Sequence, residues 1–305
     1  MGTPGFAAPS LKRLFDDGHD IAGVFTQPDK PRSRGMKVSF SPVKELALAH
    51  GTPVFQLLTL KDGQAEEILH KLNCDIIAVV AYGKILTREI LGIPPYGCVN
   101  VHGSVLPKYR GAAPIQWAII NGERETGVTT MYMAEEMDAG DILLSKALEI
   151  GENETSDQLY DRLSILGAEL LSETIQAISV GKISRIPQIH EEATFAPPLS
   201  KSMSPIDWNE SAFAIKCKVR GLAPWPAATA ELGGAVCKIY SVDITDKKTM
   251  KKNGEVVSAG EAGLEVACEG GTVIIKELQA PGGKRMAASE YLKGHKIGSQ
   301  CRTST

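Results

Sequence analysis

Three polar side chains of this sequence have the types needed for joint chemistry: the amide of Asn100, the imidazole of His102 and the carboxylate of Asp138. Residues two apart on a strand point to the same face, so Asn100 and His102 share one side of an otherwise apolar segment, 98–102. An amide can donate to an oxygen that becomes negative, an imidazole can move a proton, and a carboxylate can orient the imidazole or take the proton. The set indicates acid–base chemistry beside a developing oxyanion.

Each of these residues also has a plainer interpretation. A histidine in a strand is more often a hydrogen-bonded core or rim residue than a catalyst. A second carboxylate, Asp141, flanks the same Ala-Gly turn as Asp138 and competes with it for the role. Residues that follow the strand favour the catalytic interpretation, because they form a Gly- and Pro-containing loop, 103–111, before a helix predicted to begin at Pro114.

The elements that must position this set alternate between strand and helix. Short apolar runs, such as 76–81, lack polar alternation and are typical of strands covered on both faces. The clearest helix follows Thr155, which forms a possible capping box with Gln158, and it ends near Gly181. This pattern predicts an α/β, Rossmann-like and mostly parallel sheet, in which ligands bind at the carboxyl ends of the strands.

The N-terminal segment GTPGFA is typical of a turn after a strand, and we expect that strand to be missing from this chain. We expect this chain to be less stable or less soluble than one extended upstream, because the neighbouring strands would lose ladder hydrogen bonds.

The last third of the sequence has a different character. Short apolar runs are separated by Gly-Gly and Asn-Gly pairs, which predicts a small antiparallel β-barrel of the oligonucleotide-binding (OB-like) type. A Pro-rich stretch precedes it. We therefore predict a catalytic domain over 1–182, a linker over 183–200 and a C-terminal barrel over 201–305.

Composition limits the function further. The net charge is −3, but from residue 201 onward 15 Lys and Arg stand against 11 Asp and Glu, a modest basic excess that suits phosphate contacts. The six cysteines are widely spaced, which predicts free thiols, most of them buried, and no metal site. No apolar run is long enough to cross a bilayer and no secretory leader is recognisable, so we expect a cytoplasmic protein.

Several segments resemble those of one enzyme family, the methionyl-tRNA formyltransferases, over nearly the whole chain. These segments are GTPGFA, GVFTQPDKPRSRG, SPVKELA, VVAYGKIL, GCVNVHGSVLPKYRGAAPIQWAIINGERETGVTTMYM, MDAGDILL and PWPA. The resemblance implies transfer of a formyl group from 10-formyltetrahydrofolate to the amino group of methionine on initiator tRNA. The expected partners are therefore initiator Met-tRNA and a folate, with no membrane and no metal, and we expect a monomer.

The resemblance also implies residue roles. The catalytic set becomes Asn100, His102 and Asp138, with Asp138 preferred over Asp141. A basic loop, 27–40, is expected to contact tRNA through Arg34 and Lys37. Folate contacts are expected from the loop after the strand and from a second turn upstream: Ser104, Val105, Leu106, Pro107, Ile85 and Leu86.

Other functions remain open at this point. A 10-formyltetrahydrofolate hydrolase would share the polar set, and another folate-dependent formyltransferase, acting on glycinamide ribonucleotide, would use the same donor. A tRNA-binding protein without turnover is a third alternative. A nucleotide-hydrolysing loop is disfavoured because the segment GTPG lacks the lysine that such a loop needs.

Overall fold

The computed structural model of the chain describes residues 1–29, 31–32, 37–245 and 247–303. Contacts divide the chain into two compact units. Unit 1 comprises Met1–Pro114, Thr126–Leu148 and Tyr160–Ala196, and unit 2 comprises Ile115–Glu125, Glu149–Leu159 and Pro197–Thr305. The stretch predicted as a linker is thus divided, with 183–196 belonging to unit 1 and 197–200 to unit 2. The predicted boundaries themselves stay a prediction.

The α-helices of the described residues are α1 (Ala8–Asp16), α2 (Pro42–Ala49), α3 (Gln64–Leu72), α4 (Arg88–Leu91), α5 (Pro114–Ile120), α6 (Ser156–Ser179), α7 (Ala212–Leu222) and α8 (Ala288–Gly294). Short 3-10 helices cover Gly5–Ala7, His190–Glu192 and Lys201–Met203. None of the helices in these described ranges combines the length and apolar character needed to span a bilayer.

The strands before residue 200 are β1 (Val24–Phe25), β2 (Pro31–Arg32), β3 (Lys37–Val38), β4 (Val54–Phe55), β5 (Ile77–Val80), β6 (Cys98–His102), β7 (Arg110–Gly111), β8 (Glu125–Tyr132), β9 (Ile142–Glu149) and β10 (Phe195–Ala196). The strands after it are β11 (Ala228–Leu232), β12 (Ala235–Thr245), β13 (Val256–Gly260), β14 (Gly263–Cys268), β15 (Gly271–Gln279), β16 (Arg285–Ala287) and β17 (Cys301–Arg302).

The sheet of unit 1 is built around β5 and β6, which pair in parallel. The order β5-β6-β8-β9 continues with β8 antiparallel to β6. On the other side β1 pairs in parallel with β4. This arrangement confirms the predicted Rossmann-like α/β class, in which the parallel strands carry a buried apolar core.

Backbone hydrogen bonds of the first residues connect the two parts of this sheet. The Gly2 N–H donates to the Phe25 carbonyl at 3.0 Å, and the Val80 N–H donates to the Met1 carbonyl at 2.9 Å. Gly2 also forms a parallel bridge with Val80. Met1 and Gly2 therefore lie between β1 and β5, in the position where a strand was predicted to be missing.

Helix boundaries follow the punctuation of the sequence. Ser41 caps α2 by accepting a hydrogen bond from the Lys44 N–H at 3.2 Å, with Pro42 at the first helical position. At the start of α6 the Gln158 side chain accepts from the Thr155 N–H at 3.0 Å, which is half of the predicted capping box. Leucines at helical spacing on this helix pack in the core, with Leu159 and Leu163 fully buried.

Unit 2 contains an antiparallel sheet in the order β13-β14-β15-β12-β11-β17. The two ends of this sheet meet, because the Val256 N–H donates to the Ser299 carbonyl at 2.9 Å and the Cys301 N–H donates to the Gly254 carbonyl at 2.7 Å. Closing a sheet removes its exposed edges. The predicted small antiparallel barrel is confirmed.

One buried carboxylate of unit 2 lies on a strand of this sheet, on the face opposite the apolar core formed by Leu264 and Val266. Glu265 on β14 is buried and accepts hydrogen bonds from Ser258, Thr272 and Lys247. Burial raises the pKa of Glu265, but these three donors more than offset the effect and hold the pKa below its ordinary value of 4.5. The ionised form of Glu265 is therefore the form that the folded barrel favours.

All six cysteines are free, as predicted, and five of them are buried. Among the described residues there is no group of three or more His, Cys, Asp or Glu side chains that could hold a metal ion.

Candidate active site

The strand β6 places two polar side chains on one face of the sheet of unit 1. Asn100 lies opposite Met131 of β8, and His102 lies opposite Thr129. His102 is 6% exposed, whereas Asn100 is only half-buried. Within residues 1–29, 31–32, 37–245 and 247–303, the side-chain amide of Asn100 has no hydrogen-bond partner. Its N–H groups are consequently available to a ligand.

Both ring nitrogens of His102 face oxygen atoms. Nε2 lies 2.8 Å from the Tyr109 carbonyl oxygen, and Nδ1 lies 3.6 Å from Oδ2 of Asp138. A carbonyl oxygen can only accept, so Nε2 carries a proton. This leaves Nδ1 as the nitrogen that can accept a proton, and it faces the Asp138 carboxylate.

The carboxylate oxygen of Asp138 that faces His102 is also held by a backbone donor. Its Oδ2 accepts the Gly111 N–H at 2.8 Å. Gly111 has φ +118°, and a Cβ atom there would lie 2.8 Å from the Ala196 carbonyl oxygen, so only glycine fits. Asp141, the competing carboxylate, makes no ion pair with any residue that the structure describes. The geometry supports Asp138 rather than Asp141 as the partner of His102.

The loop after β6 is fixed by its own hydrogen bonds. The Ser104 hydroxyl is buried and donates to the Lys108 carbonyl at 2.6 Å, and the Leu106 N–H donates to the Thr129 hydroxyl at 3.1 Å. Leu106 is 4% exposed, whereas Val105 is 36% exposed. The side chain of Ser104 therefore stabilises the loop, and of these three side chains Val105 is the most accessible.

The upstream turn that follows β5 also ends near the sheet edge. Ile85 is 71% exposed, whereas Leu86 packs in the core at 3% exposure. The side chain of Gln27 donates to the Tyr82 carbonyl at 3.1 Å and the Gly83 carbonyl at 3.2 Å, which fixes the backbone of this turn.

Cys98 shares the face of Asn100 and His102 but is not a nucleophile. It is buried, and burial raises its pKa to about 12. A thiol with this pKa is protonated at neutral pH, and only the thiolate attacks carbonyl groups. Asn100 and His102 are therefore the candidates for polar chemistry on this face of the strand.

Family models and relatives identify the family of this chain. The chain matches the model described as "Formyl transferase" over residues 1–175 and that described as "Formyl transferase, C-terminal domain" over residues 198–296. It is 48% identical over 297 residues to the methionyl-tRNA formyltransferase of Alkaliphilus oremlandii, covering 97% of this chain and 96% of that protein. It is 49% identical over 298 residues to the methionyl-tRNA formyltransferase of Caldanaerobacter subterraneus subsp. tengcongensis, with the same coverage of both proteins. The chain belongs to the methionyl-tRNA formyltransferase family.

A solved structure of a more distant formyltransferase shares the fold. WlaRD, a sugar 3N-formyl transferase crystallised in the presence of dTDP and 5-N-formyl-THF, superposes with a TM-score of 0.68. The match covers 92% of this chain and 95% of WlaRD at 19% sequence identity. At 19% identity this likeness shows that the two chains share a fold.

Two residues expected to contact tRNA fall in the basic loop. Arg34 lies outside the described residues. Lys37 begins the two-residue strand β3, which pairs with β2, and only its backbone is described. Both assignments stay predictions for this formyltransferase family member.

The sequence did not predict several residues that stabilise the site through contacts between segments far apart in the sequence. Arg110 is 2% exposed and donates from Nε and Nη2 to the Gln188 side-chain oxygen, at 3.1 and 2.8 Å. Thr194 accepts the Tyr109 N–H through its hydroxyl at 2.9 Å. Gln188 and Thr194 lie about 80 residues after the loop that they contact. A single polar residue in an irregular, Pro-rich stretch carries no periodic signal that would reveal this contact.

A cavity of about 410 Å³ lies elsewhere in unit 1, lined by residues of α1, β1, β5 and α6. Asn100, His102 and Asp138 are not among its lining residues. Because the cavity is lined mainly by apolar side chains and the polar set lies outside it, it is not part of the candidate active site.

Proposed function

We propose that this protein transfers the formyl group of 10-formyltetrahydrofolate to the α-amino group of methionyl initiator tRNA, giving N-formylmethionyl-tRNA and tetrahydrofolate. The proposal rests on membership of the methionyl-tRNA formyltransferase family over nearly the full chain. The site feature that carries it is the amide of Asn100, which has no hydrogen-bond partner in the part of the chain that the structure describes. It lies two residues before His102, which faces Asp138. A cytoplasmic location follows from this role, because the product serves translation initiation.

The amide of Asn100 supplies what the first step needs. When the amine attacks the planar formyl carbon, a tetrahedral intermediate forms and negative charge develops on the formyl oxygen. A donor aimed at that oxygen stabilises the transition state more than the ground state. Asn100 has two N–H groups and no competing partner among the described residues, so it can donate without first breaking a protein hydrogen bond.

His102 and Asp138 manage the proton. Because the amine loses a proton as its C–N bond forms, an acceptor is needed close by. Nδ1 of His102 can hold that proton opposite the Asp138 carboxylate, which stabilises the imidazolium, while Nε2 keeps its proton on the Tyr109 carbonyl. The proton then passes to N10 of the folate as the bond between N10 and the formyl carbon breaks. No atom or electron pair is left over.

Folate contacts are proposed for the two turns at this sheet edge. Val105 and Ile85 offer exposed apolar side chains, and Pro107 lies in the same loop. The contributions of Ser104, Leu106 and Leu86 would come from backbone groups, because their side chains are buried.

Transfer RNA contacts are proposed for Arg34 and Lys37 and for the basic excess of the chain from residue 201 onward. In unit 2 the segment between β12 and β13 carries exposed lysines, including Lys248 and Lys251. Phosphate contacts of this kind supply affinity without sequence specificity and weaken as salt rises.

The decisive experiment offers the protein three acceptors at once. Purified protein is mixed with 10-formyltetrahydrofolate and with charged initiator tRNA, glycinamide ribonucleotide and water in competition, and the products are followed by mass spectrometry. We expect formylmethionyl-tRNA as the dominant product. Formate as the main product would identify a hydrolase, and formylated glycinamide ribonucleotide would identify another transferase. If the protein bound tRNA but formed no formylated product, it would be a tRNA-binding protein without turnover.

A further inference from the structure

The turn that carries Asp138 has an unusual backbone. Asp138 adopts φ +52°, in the left-handed region that side chains other than glycine rarely occupy. Two residues later, a Cβ atom at Gly140 would lie 1.8 Å from the Tyr132 carbonyl oxygen, so the turn packs directly against β8. A backbone in this conformation persists only when its surroundings hold it. The contacts of this turn therefore determine where the Asp138 carboxylate points.

One side chain supplies two of those contacts. The Nε2 amide nitrogen of Gln188 donates to the Asp138 carbonyl at 2.9 Å and to the Gly140 carbonyl at 2.7 Å. Its Oε1 atom accepts from Nε and Nη2 of Arg110 at 3.1 and 2.8 Å. A guanidinium only donates and a carbonyl only accepts, so chemistry fixes the orientation of this amide. Gln188 is 7% exposed and all four of its hydrogen-bonding positions are used.

Arg110 lies in the loop after β6, between two residues that contact His102 and Asp138. It precedes Gly111, whose N–H donates to the Asp138 carboxylate, and it follows Tyr109, whose carbonyl accepts from His102. The Gln188 amide thus joins the backbone on both sides of the interaction between His102 and Asp138. The nearest carboxylate to Arg110, Glu136 at 3.6 Å, is 66% exposed and holds the guanidinium only weakly.

We propose that Gln188 is a positioning residue for formyl transfer: it holds the Asp138 turn in its left-handed conformation and so aims the carboxylate at Nδ1 of His102. This rests on the proposed function only for its consequence in turnover. Its consequence for the His102 imidazole is a property of the protein without substrate.

The substitution Gln188→Glu distinguishes the acceptor role of the Gln188 amide from its donor role. The substitution keeps the shape and improves the acceptor that faces Arg110, but it replaces the donor that faces the Asp138 and Gly140 carbonyls with an oxygen. If Gln188 only neutralised the buried guanidinium, the variant would be at least as active as the parent. If it positions Asp138, kcat should fall by about 100-fold, because a displacement near 1 Å at a catalytic group has that effect. The KM values for folate and for Met-tRNA should stay within about threefold.

The imidazole provides a second readout that does not depend on activity. The ¹⁵N resonances of His102, identified by their loss in His102→Gln, should shift in Gln188→Glu because the carboxylate moves away from Nδ1. Thr174→Val is the matched control: Thr174 is fully buried in the same unit and bonds to Thr130 at 2.7 Å, with no link to Asp138. This control should lose stability while kcat and the His102 resonances stay unchanged.

Both effects in Gln188→Glu are required. An unchanged kcat, or unchanged His102 resonances, would overturn the positioning role. A wild-type protein that fails to formylate Met-tRNA would instead refute the proposed function, while the resonance comparison would still decide whether Gln188 orients Asp138.

Discussion

The sharpest prediction concerns the amide of Asn100. Replacing Asn100 with Ala removes a donor to the developing oxyanion, which costs roughly 3 kcal/mol of transition-state stabilisation, or more than about 100-fold in rate. Because this amide has no hydrogen-bond partner in the described part of the chain and the residue is half-buried, folding should be almost unaffected. The loss should therefore appear in the rate of formyl transfer and not in the melting temperature.

Asn100→Asp tests whether the role is donation or packing. Asp has nearly the same shape as Asn, so a packing role predicts that Asp is milder than Ala. A donor role predicts the opposite, because an ionised carboxylate at about 4 Å from the oxyanion would add a repulsion of roughly 4 kcal/mol at an effective dielectric constant of 20. We expect Asn100→Asp to be slower than Asn100→Ala by at least about tenfold.

The assay is a single-turnover measurement with enzyme in excess over formylatable Met-tRNA, so that product release does not mask the chemical step. Thr174→Val serves as the control for a buried polar substitution in the same unit. A rate for Asn100→Ala within about twofold of the parent, or a faster rate for Asp than for Ala, would refute the oxyanion role.

Two further predictions concern tRNA and the barrel. Arg34→Ala should raise the apparent KM for Met-tRNA far more than that for folate, and raising salt should weaken tRNA binding steeply if phosphates are contacted; an unchanged KM for tRNA in steady-state kinetics would contradict this assignment. Because the folded pKa of Glu265 lies below 4.5, its ionised form stabilises unit 2 above that pH, and the contribution is lost as pH falls through the folded pKa. The parent should therefore have a larger free energy of unfolding than Glu265→Gln, by an amount that is constant near neutral pH and shrinks in acid. Both proteins are denatured and unfolding is followed by the fluorescence of the buried Trp208. A difference in free energy that does not depend on pH would show that Glu265 acts without its charge.

Local patterns in the sequence were sufficient to predict the helices and strands named below and the face of β6 that carries the polar side chains. Alternation along β6 placed Asn100 and His102 on one side, since the period of a strand is fixed by its backbone. The helix starts at Ser41 and Thr155 were marked for the same local reason, because a side chain accepts a backbone N–H three residues away: Ser41 accepts from Lys44, and Gln158 accepts from Thr155. Gly-Gly and Asn-Gly pairs likewise marked the turns of the barrel.

Only the tertiary structure decided which groups meet. It brought Asp138 rather than Asp141 to His102, and it turned the His102 ring so that Nε2 bonds to the Tyr109 carbonyl. It also brought Gln188, from a stretch that looked like a linker, to the turn of Asp138. Contacts across 36 to 78 residues depend on how the chain packs as a whole, and a polar residue in an irregular segment has no period from which such packing can be predicted.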